Sequence, residues 1–294
     1  MSISRPAQAA PVSGGRPGLA RYDGGMRPAA WTMAIVIMAV GPAACARAPA
    51  PAVSDGTRLR DACDRGDAEA CVDLGIRHDR GAGVAADPVV AAALYRRACD
   101  LGSPRGCYDL GVSHHDGAGV ARDEARARAL FERACDGGYA AACLNLGVAF
   151  ERSGGPGELT AAADRYARAC AADDVEVVRL ACFNLALLHA NGLGVPRDRA
   201  RAVAWFTRGC DHDDSKSCTQ LAQALADGAG VDADPAAAVA LLERTCAARH
   251  PAACFHLGRF LRAGIGVAAD PARATRLIAG ACQAGLPAAC EAQP

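Results

Sequence analysis

Cysteine and histidine are the residue types here that could do chemistry, and their spacing decides which chemistry. The 294 residues include fifteen cysteines and seven histidines. Fourteen cysteines fall in seven pairs: Cys63 and Cys71, Cys99 and Cys107, Cys135 and Cys143, Cys170 and Cys182, Cys210 and Cys218, Cys246 and Cys254, Cys282 and Cys290. Six pairs enclose seven residues each. A zinc centre needs four ligands converging at short Cys-x-x-Cys spacing, which is absent. Seven intervening residues instead place one cysteine at the end of a helix and the other in the first turn of an antiparallel neighbour. A disulfide can close there. Such usage reads as an oxidising compartment, each closed loop contributing about 2.5 kcal/mol in the chain-entropy picture. Cys45 stands alone.

The histidines do not form a site. His78, His114 and His189 each stand seven residues after a cysteine. Phe150 holds the same position in another unit, so these imidazoles read as packed between helices. His115-Asp116 and Asp211-His212-Asp213-Asp214 match no metal spacing, and no metal or cofactor is expected. The only lysine, Lys216, follows Asp213 by three, so a Ser-x-x-Lys nucleophile is missing. No Gly-x-Ser-x-Gly, Walker or dinucleotide fingerprint is found. The 32 basic and 32 acidic side chains cancel, which favours neither nucleic acid nor an anionic membrane as partner. No catalytic residue is identified.

The elements that carry these residues repeat. Second cysteines of successive pairs lie 36, 36, 39, 36, 36 and 36 residues apart, a period that marks a solenoid. After Cys71 come Leu74 and Gly75, then Gly81, Gly83 and Val84, then Asp87 and Pro88, and a run ending in Arg97-Ala98-Cys99. The cysteine and the residues at +3, +4 and +7 share one helical face. The glycines break that helix, and Asp87, Asp123, Asp198, Asp234 and Asp270 can cap the next one. The plan is a helix-turn-helix hairpin repeated six times. Two departures interrupt it: SGGPGE at 153–158 replaces the usual turn, and the Cys170 to Cys182 loop is four residues longer.

The pattern A-C-x-x-L-G, G-x-G-V, D, R-A-C resembles the Sel-1-like repeat, a relative of the tetratricopeptide repeat. With its cysteine pairs it is similar to the cysteine-rich secreted Hcp-like group. The resemblance implies an all-α, right-handed α/α solenoid over residues 57–294. It also implies a scaffold for protein or peptide partners. Penicillin binding or weak β-lactam hydrolysis, and with them a peptidoglycan or β-lactam ligand, come from the resemblance alone.

Upstream, residues 1–25 read as a misplaced start or a disordered lead. Residues 26–45 follow the order of a signal peptide: a basic start, an apolar run and small residues before a cysteine. Ala43-Ala44-Cys45 resembles a lipobox, which implies lipidation of Cys45, with ordinary signal cleavage as the competing reading. Residues 46–56 form a Pro/Ala linker. Either reading exports the chain, to the periplasm, the outer membrane or beyond, as a monomer touching membrane only through a lipid anchor.

The helical face opposite the core stripe is the expected binding surface. Its lining is expected to include Asp73, Ile76, Arg105, Tyr108, Asp109, Asn145, Phe183, Asn184, Gln220, Phe255, His256 and Arg259, joined by Val72 and Leu144. Aromatic and arginine anchors and amide side chains suit a peptide ligand.

Overall fold

The computed structural model describes residues 55–292, and all described secondary structure is helical. The expected signal, lipobox and Cys45 lie outside the described residues. Fourteen helices follow one another: α1 (Asp55–Asp64), α2 (Ala68–Arg80), α3 (Pro88–Asp100), α4 (Pro104–Asp116), α5 (Glu124–Asp136), α6 (Ala140–Ser153) and α7 (Pro156–Cys170). Then come α8 (Val175–Asn191), α9 (Arg199–Asp211), α10 (Ser215–Asp227), α11 (Pro235–Ala247), α12 (Pro251–Ala263), α13 (Pro271–Gln283) and α14 (Pro287–Glu291). They form six hairpins, from α2/α3 to α12/α13, with α1 before them and α14 after. Among the described residues, no helix is long and apolar enough to cross a membrane.

Local chemistry sets each boundary. Asp87, Asp123, Asp198, Asp234 and Asp270 are the N-caps of α3, α5, α9, α11 and α13, and each carboxylate accepts from backbone N–H groups of the first turn. Such a cap is worth about 1 kcal/mol. The same aspartates donate their own N–H to the carbonyl of the +7 residue, as Asp87 does to His78 O at 2.9 Å and Asp123 to His114 O at 2.9 Å. The turn is therefore closed from both sides of the aspartate.

Inside each hairpin a small residue of the first helix receives a large one of the second. A Cβ on Gly75 would stand 2.6 Å from Tyr95 Cε1, and one on Gly111 2.8 Å from Phe131 Cε1. Alanine takes this position twice: Ala222 is in the hairpin whose second helix offers Leu242, and Ala186 in the one that offers Phe206. Tyr95 and Tyr166 are buried to the hydroxyl, which donates to Asp79 Oδ2 at 2.7 Å and to Glu151 Oε2 at 2.6 Å.

Three devices fasten hairpin to hairpin. Seven disulfides join the last turn of each second helix, α1 included, to the first helix that follows, with Cα–Cα distances from 4.4 to 4.9 Å. In four pairs the arginine two residues before the first cysteine reaches back to the end of the preceding helix of the same layer. Arg97 donates to Asp64 O at 3.1 Å, Arg133 to Cys99 O at 2.7 Å, Arg168 to Cys135 O at 2.6 Å and Arg208 to Cys170 O at 2.8 Å. A cation on those last carbonyls also meets the negative end of the helix dipole. At the opposite end, in four hairpins, a turn glycine (Gly119, Gly194, Gly230 or Gly266) lies against the start of the preceding second helix. Gly119 has φ +71°, and any Cβ there would overlap Pro88 O.

The irregular third unit keeps this plan by local adjustment. Its turn is shortened to Gly154 and Gly155, with Gly154 at φ +74°. The four additional residues between Cys170 and Cys182 do not bulge. They lengthen α8 at its start, so that Cys182 lies seven residues into that helix where Cys107 lies three into α4. Four residues are about one helical turn, so the face presented by α8 is restored. Asp174 caps the added turn through Glu176 N and Val177 N.

Candidate functional site

Successive first helices pack on one another along the stack: α2 on α4, α6 on α8, α8 on α10 and α10 on α12. Successive second helices are tied chiefly by the arginine links. The first helices therefore form the inner side of the stack. Each leaves one stripe uncovered, at positions −2, +2 and +5 from its cysteine. The stripe reads Glu69, Asp73, Ile76 on α2; Arg105, Asp109, Val112 on α4; Ala141, Asn145, Val148 on α6. It continues as Leu180, Asn184, Leu187 on α8; Lys216, Gln220, Gln223 on α10; Ala252, His256, Arg259 on α12. The spacing i, i+4, i+7 keeps each trio on one face.

Side chains of neighbouring helices touch along this stripe. Arg105 Nη1 lies 3.3 Å from Asp73 Oδ1 and 3.5 Å from Glu69 Oε2. Asn145 Nδ2 donates to Tyr108 Oη at 3.3 Å, and Gln223 Nε2 lies 3.0 Å from His256 Nδ1. Burial holds the Tyr108 hydroxyl above its usual range. Tyr139, the α6 N-cap residue, is pushed up to about 12 by burial and by the Asp109 carboxylate. Both phenols are neutral near pH 7, and that of Tyr108 accepts the Asn145 amide. Burial, and then Arg259, hold His256 below the ordinary imidazole value, so its ring is neutral too. At the N-terminal end of the stripe, Arg58, Leu59, Asp73, Ile76 and Arg77 surround an open pocket of ≈ 440 Å³.

The residues expected on the face divide by position. Those at −2, +2 and +5 (Asp73, Ile76, Arg105, Asp109, Asn145, Asn184, Gln220, His256, Arg259) are exposed or half-buried on it. Position +1 is different, because it is turned about 100° from the cysteine toward the adjoining repeat. Val72 and Leu144 are buried there and do not line the face. Phe255 is buried as well, in a cluster with Ile278, Ala281 and Ala289 under α13 and α14. Tyr108 and Phe183 are intermediate. Tyr108 packs on Phe131 and Tyr139 with ring centroids 5.5 and 4.9 Å away, and Phe183 packs on Phe206 at 6.0 Å. Of these rings, Tyr108 bridges its own hairpin and the next repeat, whereas Phe183 packs on the second helix of its own hairpin. Cations lie over two of them, Lys216 over Phe183 and Arg259 over Phe255.

The histidines at +7 are buried in the last turn of α2, α4 and α8. His78 Nδ1 lies 3.2 Å from Ala85 O, and His114 Nδ1 3.2 Å from Ala121 O. His115 is elsewhere, 2.9 Å from Glu124 Oε2. Among the described residues no group of three or more His, Cys, Asp or Glu side chains is placed to hold a metal ion. Two features escaped the sequence reading. The role of the repeated arginine in R-A-C is one, although its recurrence was visible. The other is Leu180, at the −2 position of α8 just after its added turn.

The sequence profile of the Sel1 repeat matches residues 68–103, 104–139, 179–214, 215–250 and 251–286. The chain belongs to the Sel1 repeat family. Each match starts at or just inside a first helix, and the unmatched interval, 140–178, holds the shortened turn and the added helical turn. This Sel1 repeat chain is similar in structure to c5321, a protective antigen of uropathogenic Escherichia coli displaying an SLR fold. The TM-score is 0.71 at 23% identity, over 80% of this chain and 50% of that one. It is also similar to a Sel1 repeat protein from Oxalobacter formigenes, with a TM-score of 0.59 at 22% identity, over 77% and 94%. Cysteine-rich protein B of Helicobacter pylori aligns with 47% of the chain at 19% identity and a TM-score of 0.38. The chain thus spans half the length of the E. coli antigen, and the likeness at these identities is one of fold. No curated protein matches the sequence.

Proposed function

We propose that this Sel1 repeat chain is an exported, disulfide-clamped scaffold that binds a protein or peptide partner in the bacterial cell envelope. The observation that carries the reading is the continuous stripe on the inner side of α2, α4, α6, α8, α10 and α12. Six equivalent trios present polar and apolar groups in register, and clamped hairpins lose little conformational freedom on binding. Sel1 repeats act in general as non-catalytic scaffolds for protein partners, which supports the same reading. Seven disulfides fit an oxidising, exported setting. Attachment through a lipidated Cys45 is the part of the proposal that the lipobox-like sequence suggests. Nothing in the site or the comparisons supports β-lactam hydrolysis, and it is no part of the proposal.

The test is a crosslinked capture from the native envelope with the whole chain. The wild type is compared with an Asn145→Ala, Asn184→Ala, Gln220→Ala variant of equal circular dichroism. A partner held by the first and lost by the second is expected. Identical captures, or no capture by either, would overturn the reading.

A further inference from the structure

The stripe changes character along the stack. Its first two helices carry carboxylates, Glu69, Asp73 and Asp109, and their one cation, Arg105, is neutralised by two of them. Its middle is apolar and amide: Val148, Leu180, Leu187, Asn145 and Asn184. Leu180 is 36% exposed, among the more exposed large apolar side chains described. Its last two helices carry Lys216 and Arg259 with no stripe carboxylate. The only acidic residue of α10 is Asp227, at its far end, and α12 has none.

We propose that the inner face from α8 to α12 takes an acidic peptide segment with interspersed apolar side chains, whose carboxylates meet Lys216 and Arg259. The proposal rests on the scaffold reading and names the partner's chemistry.

Charge complementarity carries it. Among the described residues, Lys216 and Arg259 make no ion pair, in contrast to Arg105. Each lies instead over a ring, 5.7 Å from the Phe183 centroid and 5.9 Å from the Phe255 centroid. A cation held this way keeps a fixed position while its outer side stays open. The exposure of both residues leaves that side to solvent. Lys216 also stands in the first turn of α10, where the positive end of the helix dipole disfavours a cation. Asp214 beside it is engaged as the N-cap of α10, accepting from Ser217 N at 2.7 Å. The helix gains nothing from a lysine there, whereas an incoming carboxylate gains both the ammonium and the dipole. Between the two cations, Gln220 and Gln223 can pair with a peptide backbone, and Leu180 and Leu187 offer the apolar contact.

The experiment is fluorescence anisotropy with the purified, oxidised chain and three labelled peptides of equal length: alternating Leu/Glu, alternating Leu/Lys and alternating Ser/Glu. The Leu/Glu peptide is expected to bind best and to weaken with added salt. Lys216→Glu with Arg259→Glu should weaken it by at least about tenfold, the scale of one charge-assisted contact. Arg96→Glu, on α3, should leave it unchanged. Both substituted residues are exposed, and circular dichroism confirms the fold. Equal or stronger binding of Leu/Lys, or Leu/Glu binding that ignores the double substitution, overturns the proposal, as does binding of none of the three. Leu/Lys binding lost on Asp73→Lys with Asp109→Lys would overturn it while leaving the inner face as a binding surface.

Discussion

The guanidinium of Arg133 donates to Cys99 O at 2.7 Å, so a side chain of α5 finishes the C-terminal turn of α3, one repeat earlier. The same relation joins Arg168 to Cys135 and Arg208 to Cys170. Arg133→Ala should lower unfolding stability by about 1–2 kcal/mol, the scale of a hydrogen bond from a charged group at a helix end. Urea unfolding measures the loss. Arg96→Ala, next to Arg97 but outside the ladder, should change it by less than about 0.5 kcal/mol.

Gly147 faces Tyr166 so closely that a Cβ would stand within van der Waals overlap of the ring. Gly147→Ala should cost about 1–3 kcal/mol through overpacking. Part of that loss should return in Gly147→Ala with Tyr166→Leu, because Leu242 already faces an alanine without clash. A double variant less stable than the sum of the single changes would refute the steric account.

The disulfides differ in exposure. Cys170 and Cys182 are fully buried (0%), whereas Cys282 is half-buried and Cys290 exposed. Thiol attack needs access to sulfur, so Cys282–Cys290 should open first during titration with a dithiol, and Cys170–Cys182 among the last. Alkylation and peptide mapping give the order. Replacing Cys99 and Cys107 with serine should cost about 2.5 kcal/mol.

Burial holds the imidazoles of His189 and His256 below their ordinary value, with Arg201 and Arg259 adding to the effect. Their unfolded value is near 6.5. As pH falls below that, the unfolded chain takes up protons that the folded chain refuses, and stability is lost. The urea midpoint should therefore drop between about pH 7.5 and 5. His189→Phe with His256→Gln should flatten the drop. Asp136, held down by Arg168 and Arg165, loses its contribution only in more acid solution, as pH falls through its lowered value.

Much of this architecture was legible because it is periodic. Cysteine pairs enclosing seven residues recur six times, the capping aspartate five times and the Leu-Gly step four times, and each has one local explanation. The helix faces were harder. A cylinder has four sides in a solenoid: one toward its own hairpin partner, two toward neighbouring repeats and one toward solvent. A single-helix pattern separates the first from the last. It does not show that position +1 points at a neighbour, which is why Phe255 and Val72 were placed on the open face. The four additional residues before Cys182 read as a loop because the cysteine interval was the only gauge. Their number, close to one turn of helix, was the clue that they extend α8.

The joints from α3 to α5 and from α7 to α9 are held at two ends, by an arginine on one side and a turn glycine against a backbone on the other. Sliding would break the first and bending would jam the second. A rod so jointed has a fixed pitch, and it therefore measures: groups on a bound chain register only if they recur at the interval of the repeats. Selectivity then lies partly in length. A partner with the right residues at the wrong intervals would be refused by a surface that cannot stretch to meet it.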